Sequence, residues 1–189
     1  MKKFLGKFIM VMMLAATLSL GFTSCSKDDD GPDGGGKKGK MTGWVKIDGK
    51  KYDYKSFKGE KDNDGEVNII AFSKKFESIT PNDVINMAEL TMAFKADGTL
   101  DTEYGRPAFD FEFDIEYQPG TESGGTMYVS DDTSYEGITV TRDGNHFVID
   151  GKNVEARYGN DYVNNQSPIT HIDFHFEGTP DWMEFGYDD

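Results

Sequence analysis

Apolar and polar residues alternate along most of the chain after Met41, and no long segment repeats its apolar positions with helical spacing. A repeat of two is typical of a β-strand that buries one face and exposes the other. Asp-Gly pairs interrupt the alternation, and this pair favours the tight turn of a two-residue hairpin. The pattern therefore predicts an all-β domain built mainly from antiparallel strands.

The first hairpin is predicted around Asp48-Gly49. A two-residue turn at this pair places Val45 opposite Tyr52, so that apolar side chains share one face. Trp44 then points to the opposite face, because neighbouring residues in a strand alternate.

The second hairpin is predicted around Asp143-Gly144. A two-residue turn there places Val140 opposite Phe147 and Ile138 opposite Ile149. A shift of one residue would mix apolar and polar side chains on each face, so this register is preferred.

The same alternation predicts further strands at Glu66–Ser73, Glu89–Lys95, Ala108–Tyr117, Thr126–Ser130, Val154–Tyr158 and Thr170–Glu177, with Phe185 in a last short strand. Thr80-Pro81 has the cap residue and proline of a helix start, which predicts a short helix running to Met87. About 8–10 short strands with Gly-rich turns favour a single antiparallel β-sandwich, with a small up-and-down barrel as the alternative.

The N-terminus has a different composition. Three lysines precede residues 8–20, FIMVMMLAATLSL, which carry no charge. A basic start and a short apolar run are typical of a secretory signal peptide, and the run is too short to span a bilayer. Residues 26–40, SKDDDGPDGGGKKGK, contain no large apolar residue and predict a flexible tether.

Small residues in Phe22-Thr23-Ser24 precede Cys25, the only cysteine. This segment resembles the lipobox of bacterial lipoproteins, with Phe22 where that family usually has Leu. The resemblance implies that Cys25 is acylated and becomes the new N-terminus. Each buried acyl CH₂ contributes ~0.8 kcal/mol, so two or three chains anchor a protein stably.

The acidic run that follows Cys25, SKDDD, resembles the export signal of surface lipoproteins in Bacteroidota. The segments VKIDGKKY and ITVTRDGNHFVIDG resemble strand sequences of small lipid-anchored β-sandwich proteins from those bacteria. The segment MAELTMAFKADGT resembles sequences of their lipocalin-like barrels. We therefore expect a signal peptide at 1–24, a lipidated cysteine and tether at 25–40, and one domain at 41–189. The expected location is the outer membrane, lipid-anchored and exposed at the cell surface.

Charge narrows the range of partners. The 189 residues include 20 Lys and Arg against 34 Asp and Glu, a net charge of −14. Removal of the leader takes away three lysines and no acid, which leaves −17. An anionic surface repels nucleic acid and acidic polymers, so neutral glycans, cations or proteins are the expected partners. One cysteine also excludes a disulfide scaffold.

An acidic strand is predicted in the stretch that runs from Asp110 to Glu116. Its four carboxylates share one face and its aromatic residues share the other. The pattern fits a solvated face or a cation-binding face. Neighbouring carboxylates ~6.6–7 Å apart also match the spacing of a glycoside hydrolase pair, although alternation alone produces that spacing.

Candidate metal ligands lie in two places. His171, Asp173 and His175 alternate outward along one strand, where residues two apart can share one ion. His171 and His175 are ~13 Å apart, so both bind one ion only if the strand bulges. Asp62 and Asp64 resemble half of a calcium loop. An ordinary polar face or turn is the favoured interpretation of each set. A divalent cation is therefore a candidate, and no other cofactor is expected.

Trp44 and Trp182 are candidate ligand-binding residues, because exposed Trp rings on β-sandwiches stack on sugars; burial in the core is the alternative. No G-x-S-x-G motif or phosphate loop is present. We expect a non-catalytic binding or accessory module for a glycan or a protein, not an enzyme. The alternative is a metal- or carboxylate-dependent hydrolase that uses the outward faces of residues 110–116 and 171–177.

Overall fold

Strands dominate the computed structural model, which describes residues 40–61, 66–101, 108–120, 125–130, 136–160 and 163–183. In chain order the strands are β1 Met41–Ile47, β2 Lys50–Tyr54, β3 Ser56–Lys61, β4 Glu66–Phe72, β5 Ile85–Ala93, β6 Phe109–Tyr117, β7 Thr126–Ser130, β8 Ile138–Asp143, β9 His146–Gly159, β10 Ile169–Gly178 and β11 Asp181–Trp182. One 3₁₀ turn, Phe76–Ser78, follows β4. The predicted all-β fold is confirmed. The described residues include no helix long and apolar enough to cross a membrane.

All the strands belong to one sheet, in the order β11-β3-β4-β5-β6-β7-β9-β10-β1-β2, with β8 paired to β9. Every pairing is antiparallel except that of β11 with β3. The first strand pairs with β10, so that Met41 lies opposite Gly178. Only Lys55 separates β2 from β3, although these strands lie near opposite ends of the sheet. The sheet therefore curls into a half-barrel around its own core. This architecture is intermediate between the predicted β-sandwich and the predicted barrel.

Aromatic side chains fill the concave side of the curled sheet. The ring centroids of Phe113 on β6 and Phe176 on β10 lie 6.2 Å apart, and those of Phe111 and Phe174 lie 5.5 Å apart. Strands β6 and β10 are separated in the sheet by β7 and β9, so these rings meet across the interior. Full burial of each ring contributes ~1.5–3 kcal/mol, which makes this cluster the main source of stability.

Two glycines make room for these rings. A Cβ atom at Gly43 would lie 2.3 Å from the Phe176 ring, and one at Gly151 would lie 2.3 Å from the Phe174 ring. Each glycine is the cross-strand partner of the ring that covers it. Glycine weakens a strand on its own, but here an aromatic ring from the neighbouring strand fills the gap.

The first predicted hairpin is confirmed. Val45 lies opposite Tyr52, and Trp44 lies on the outer face of the sheet. Asp48 and Gly49 both have positive φ, +49° and +80°, as a type I′ turn requires.

The register predicted for the second hairpin is wrong. Val140 lies opposite Ile149, and not opposite Phe147. Ile138 lies opposite Gly151, and not opposite Ile149. The partners move by two residues, so the apolar side chains keep their shared face.

The turn itself explains the difference. It is formed by Gly144-Asn145, one residue later than predicted. Gly144 has φ +59° at the first central position, which a type II′ turn reserves for glycine. In the first hairpin both residues of the Asp-Gly pair occupy the central positions of the turn. In the second hairpin only the glycine of the pair does, and Asp143 belongs to strand β8.

The predicted helix from Thr80 to Met87 is also wrong. The Asp83 carboxylate accepts hydrogen bonds from the Thr80 amide and hydroxyl at 2.8 and 3.0 Å, which closes a local turn. Lys74 forms an ion pair with the same carboxylate. Strand β5 then begins at Ile85, because Ile85 and Met87 are buried in the sheet. Local side-chain bonds of this kind compete with helix formation.

The two strands predicted in residues 145–158 form the single strand β9, with one irregularity. Lys152 and Asn153 both lie opposite Asp173, and the register shifts there. Two residues against one define a β-bulge, which bends the strand. Phe185 lies outside the described residues.

We expect Gly43→Ala to lower the free energy of unfolding by about 1–3 kcal/mol, because the added methyl group forces the Phe176 ring to move. Thr42→Ala, at the exposed neighbouring position, should change it by less than ~0.5 kcal/mol. Urea unfolding measures both. Adding Phe176→Leu to Gly43→Ala should recover part of the loss, and equal effects of the two single changes would contradict this packing.

Candidate functional site

A row of side chains crosses four strands on the outer face of the sheet. Trp44 on β1 lies opposite Asp53 on β2 and His175 on β10, and His175 lies opposite Asp150 on β9. We call these four residues the Trp44 row. Trp44 and His175 are half-buried, and the two aspartates are exposed. The row faces away from the aromatic core, because Val45 and Phe174, their strand neighbours, face inward.

Carboxylates hold the imidazole beside the indole. His175 Nδ1 lies 2.7 Å from Asp150 Oδ1, and His175 Nε2 lies 3.6 Å from Glu177 Oε2. Because a carboxylate only accepts, the Asp150 contact keeps the proton on Nδ1. The Trp44 and His175 ring centroids lie 6.3 Å apart, tilted by 36°. The Asp150 hydrogen bond therefore fixes the orientation of the imidazole beside the Trp44 ring.

The Trp44 row combines an apolar ring with polar groups around it. Lys51 Nζ lies 5.3 Å from the Trp44 ring centroid and forms a 2.7 Å ion pair with Asp53. An indole ring can stack on the C–H face of a sugar, while carboxylates, an ammonium and an imidazole can hydrogen-bond its hydroxyl groups.

The β9 bulge shapes a second part of the same face. Asn153 has φ +53°, and its amide donates a 2.8 Å hydrogen bond to Asp173 Oδ1. Asp173, a predicted metal ligand, therefore holds the bulge in place. A bulge of this kind redirects nearby side chains.

A shallow depression of about 380 Å³ lies beside the bulge. His171 lies at its edge, with Nε2 3.7 Å from Glu155 Oε1. We call this depression the bulge pocket; it is lined by Glu136, Gly137, Lys152, Asn153, Glu155 and His171. Its walls carry acidic, basic and neutral polar groups together.

The predicted metal ligands do not converge in the described part of the chain. His171 and His175 each face a different carboxylate, and Asp173 is bonded to a backbone amide. No group of three or more His, Cys, Asp or Glu among the described residues is arranged to hold a metal ion. Asp62 and Asp64 lie outside the described residues, as does Cys25.

The two tryptophans have different environments. Trp182 packs against the core, with its ring centroid 6.2 Å from that of Phe147. Lys61 Nζ lies 4.3 Å from the Trp182 ring and donates a 2.9 Å hydrogen bond to Asn145 Oδ1. The buried indole Nε1 of Trp182 finds no hydrogen-bond partner among the described residues. Trp182 thus joins strand β11 to the core, whereas Trp44 faces outward.

The acidic strand is partly buried and not simply solvated. On the outer face of β6, Asp114 is only 5% exposed and Glu112 is half-buried. The prediction that Glu116 shares this face is wrong, because Ile115 and Glu116 lie together opposite Asn86 in a β-bulge, where Glu116 has φ +61° and is exposed. Glu112 lies opposite Glu89 of β5. Four carboxyl groups, those of Asp110, Glu112 and Asp114 on β6 and of Glu89 on β5, therefore form a cluster, and the sequence alone did not predict that Glu89 belongs to it.

Burial changes the acidity of this cluster. Burial raises the pKa of Asp114, and the charge of Glu112 beside it adds to the effect. Burial also raises the pKa of Glu112, and it raises the pKa of Glu89 to about 7. A hydrogen bond between Glu112 and Asp114 lowers the pKa of the former and raises that of the latter. Asp114 therefore keeps its proton and donates it to Glu112.

Stability should fall as pH rises through neutrality. The folded protein binds more protons than the unfolded chain between about pH 4, where a free carboxyl ionises, and the raised pKa values. We expect Asp114→Asn to raise the free energy of unfolding by about 1–3 kcal/mol more at pH 8 than at pH 5, because the amide still donates to Glu112 and cannot ionise.

Denaturant unfolding at both pH values measures this effect. Glu116→Gln is the matched control, since it removes an exposed carboxylate from the same strand. It should leave the pH dependence unchanged. A wild-type protein that is equally stable at pH 5 and pH 8 would rule out the buried proton.

Comparison of the chain with protein-family models, with curated proteins and with solved structures finds no match. Its two parts, the Trp44 row and the bulge pocket, lie on one outer face and share strand β10.

Proposed function

We propose that this chain is a lipid-anchored module at the cell surface that binds a neutral glycan through the Trp44 row, without catalysing a reaction. The observation that carries the proposal is the outward-facing Trp44 ring with His175 and three carboxylates around it. Sugar sites need an aromatic face for the ring C–H groups and fixed polar groups for the hydroxyls.

Charge favours a neutral ligand. The mature chain carries a net charge of −17, and the Trp44 row itself contains two aspartates. An anionic surface raises the local concentration of cations and lowers that of anions. Acidic polysaccharides and nucleic acids would have to overcome this repulsion, whereas neutral sugars would not.

The exposed apolar surface favours a glycan over a protein partner. In the described part of the chain, the large hydrophobic side chains that are exposed are Val84 at 57% and Ile169 at 46%. They lie next to β5 and on β10, which are separated by three strands of the sheet. Isolated residues of this kind do not form the continuous apolar patch that marks a protein-docking surface.

The hydrolase alternative receives less support. It needs the carboxylates of β6 and the imidazoles of β10 in one pocket. These strands are three strand spacings apart, ~14 Å, and both sets of side chains lie on the outer side of a curled sheet, where they diverge. A shared catalytic centre requires groups within a few ångströms of the same substrate atom.

Trp44→Ala should weaken binding to a neutral glycan by at least about tenfold, since truncating the central Trp of a binding site costs about 2 kcal/mol or more. A screen on an array of neutral glycans identifies binding, and calorimetry measures the affinity. Trp182→Phe is the matched control, because it changes the other tryptophan and keeps an aromatic ring in the core.

Two results would contradict the assignment. Wild-type protein that binds no glycan on the array would remove the proposed function. Binding that survives Trp44→Ala but is lost in Trp182→Phe would move the site to the other tryptophan.

The anchor is tested separately. We expect Cys25→Ser to release the protein from the membrane fraction, because the hydroxyl group cannot take the thioether-linked lipid that stable anchoring requires. Cell fractionation measures this release, and protease treatment of whole cells should digest the unchanged protein. A variant that stays in the membrane, or a wild-type protein that is fully protected, would contradict the proposed location.

A further inference from the structure

Strand β10 connects the Trp44 row with the bulge pocket. His175 belongs to the row, and His171 lies at the edge of the pocket, on the same face of β10. The bulge is in β9, so β10 keeps its normal rise between these two residues. Four residues of a regular strand place them ~13 Å apart, the length of roughly three sugar rings.

The surface between the two parts is polar. Asp173 lies between the two histidines and is half-buried, and its cross-strand partner Lys46 is exposed. Asn153 is exposed on the other side of Asp173. An extended chain lying along β10 would therefore meet hydrogen-bonding groups over its whole length.

The bulge pocket has the chemistry of a sugar subsite. Lys152 can donate, the Glu155 carboxylate can accept, and the His171 imidazole can do either. Its volume of about 380 Å³ lies within the usual range for small-ligand sites, about 300–1,000 Å³. The mixture of charges favours a neutral, hydroxyl-rich group over an anion or a cation.

We infer that the glycan bound at Trp44 is an oligosaccharide of at least about three rings, and that its far end occupies the bulge pocket. This inference rests on the proposed function of the Trp44 row. Trp44 supplies the stacking contact for one end of the chain, and His171 and Glu155 supply the polar contacts for the other. The β9 bulge, held by Asp173, opens the second subsite.

The dependence of affinity on chain length tests this inference. Calorimetry would use cello-, malto-, xylo- and manno-oligosaccharides of two, four and six rings. For the series that binds, we expect the affinity to rise about tenfold from two rings to four and then to level off, since only the longer chains reach the polar groups of the bulge pocket.

Variants separate the two subsites. His171→Ala and Glu155→Gln should each reduce the affinity for four rings toward that for two rings, and should leave the two-ring affinity unchanged. Trp44→Ala should weaken both lengths. His146→Ala is the matched control, because His146 is an exposed histidine at the start of β9, outside the pocket.

The outcomes distinguish the two proposals. If no series binds to the wild-type protein, both the proposed function and this inference fail. If binding depends on Trp44 but does not change with chain length, or if His171→Ala and Glu155→Gln have no effect on four rings, the glycan site stands and the second subsite is wrong.

Discussion

One residue of chain determines how the sheet curves. Strands β2 and β3 lie near opposite ends of the sheet, and Lys55 alone connects them. The backbone amide of Lys55 donates a 2.8 Å hydrogen bond to the Phe72 carbonyl, so the link is held against β4. A flat sheet cannot satisfy this connection, because its two ends would lie many strand widths apart. The sheet must curl, and its concave side becomes the core.

The curl assigns opposite chemistry to the two faces. Inside, phenylalanine rings from β6 and β10 meet, and glycines give them space. Outside, polar groups line β1, β9 and β10, whereas Ile70, Phe72 and Met87 are buried on the outer side of β4 and β5, where Phe76 packs on Phe72. Among the described residues, polar side chains on the outer face meet across adjacent strands, such as His175 with Asp150 and Glu112 with Glu89. Such a surface is suited to long, open ligand contacts, and less suited to an enclosed reaction centre.

Sequence periodicity was sufficient for features that depend on neighbouring residues. It identified the inward and outward faces, and it gave the register of the hairpin at Asp48-Gly49, because a short turn fixes both strands. It gave the wrong register where two tight turns are both possible. At the second hairpin a type II′ turn with Gly144 in its first central position replaces the predicted turn at Asp143-Gly144. It also could not find Asp150, Glu155 or Glu89 as site partners, because their positions depend on the register between strands that are distant in the chain.

The pairing of the first strand with β10 also has a consequence for the order of folding. Met41 and Gly178 are joined in one ladder although almost the whole domain separates them in sequence. High contact order of this kind slows folding, since the chain must close a very large loop before the ladder can form. The sheet therefore cannot be completed until the C-terminal strands have been synthesised. If the proposed leader directs export, this delay would keep the polypeptide unfolded during translocation, when an early, stable fold would block its passage.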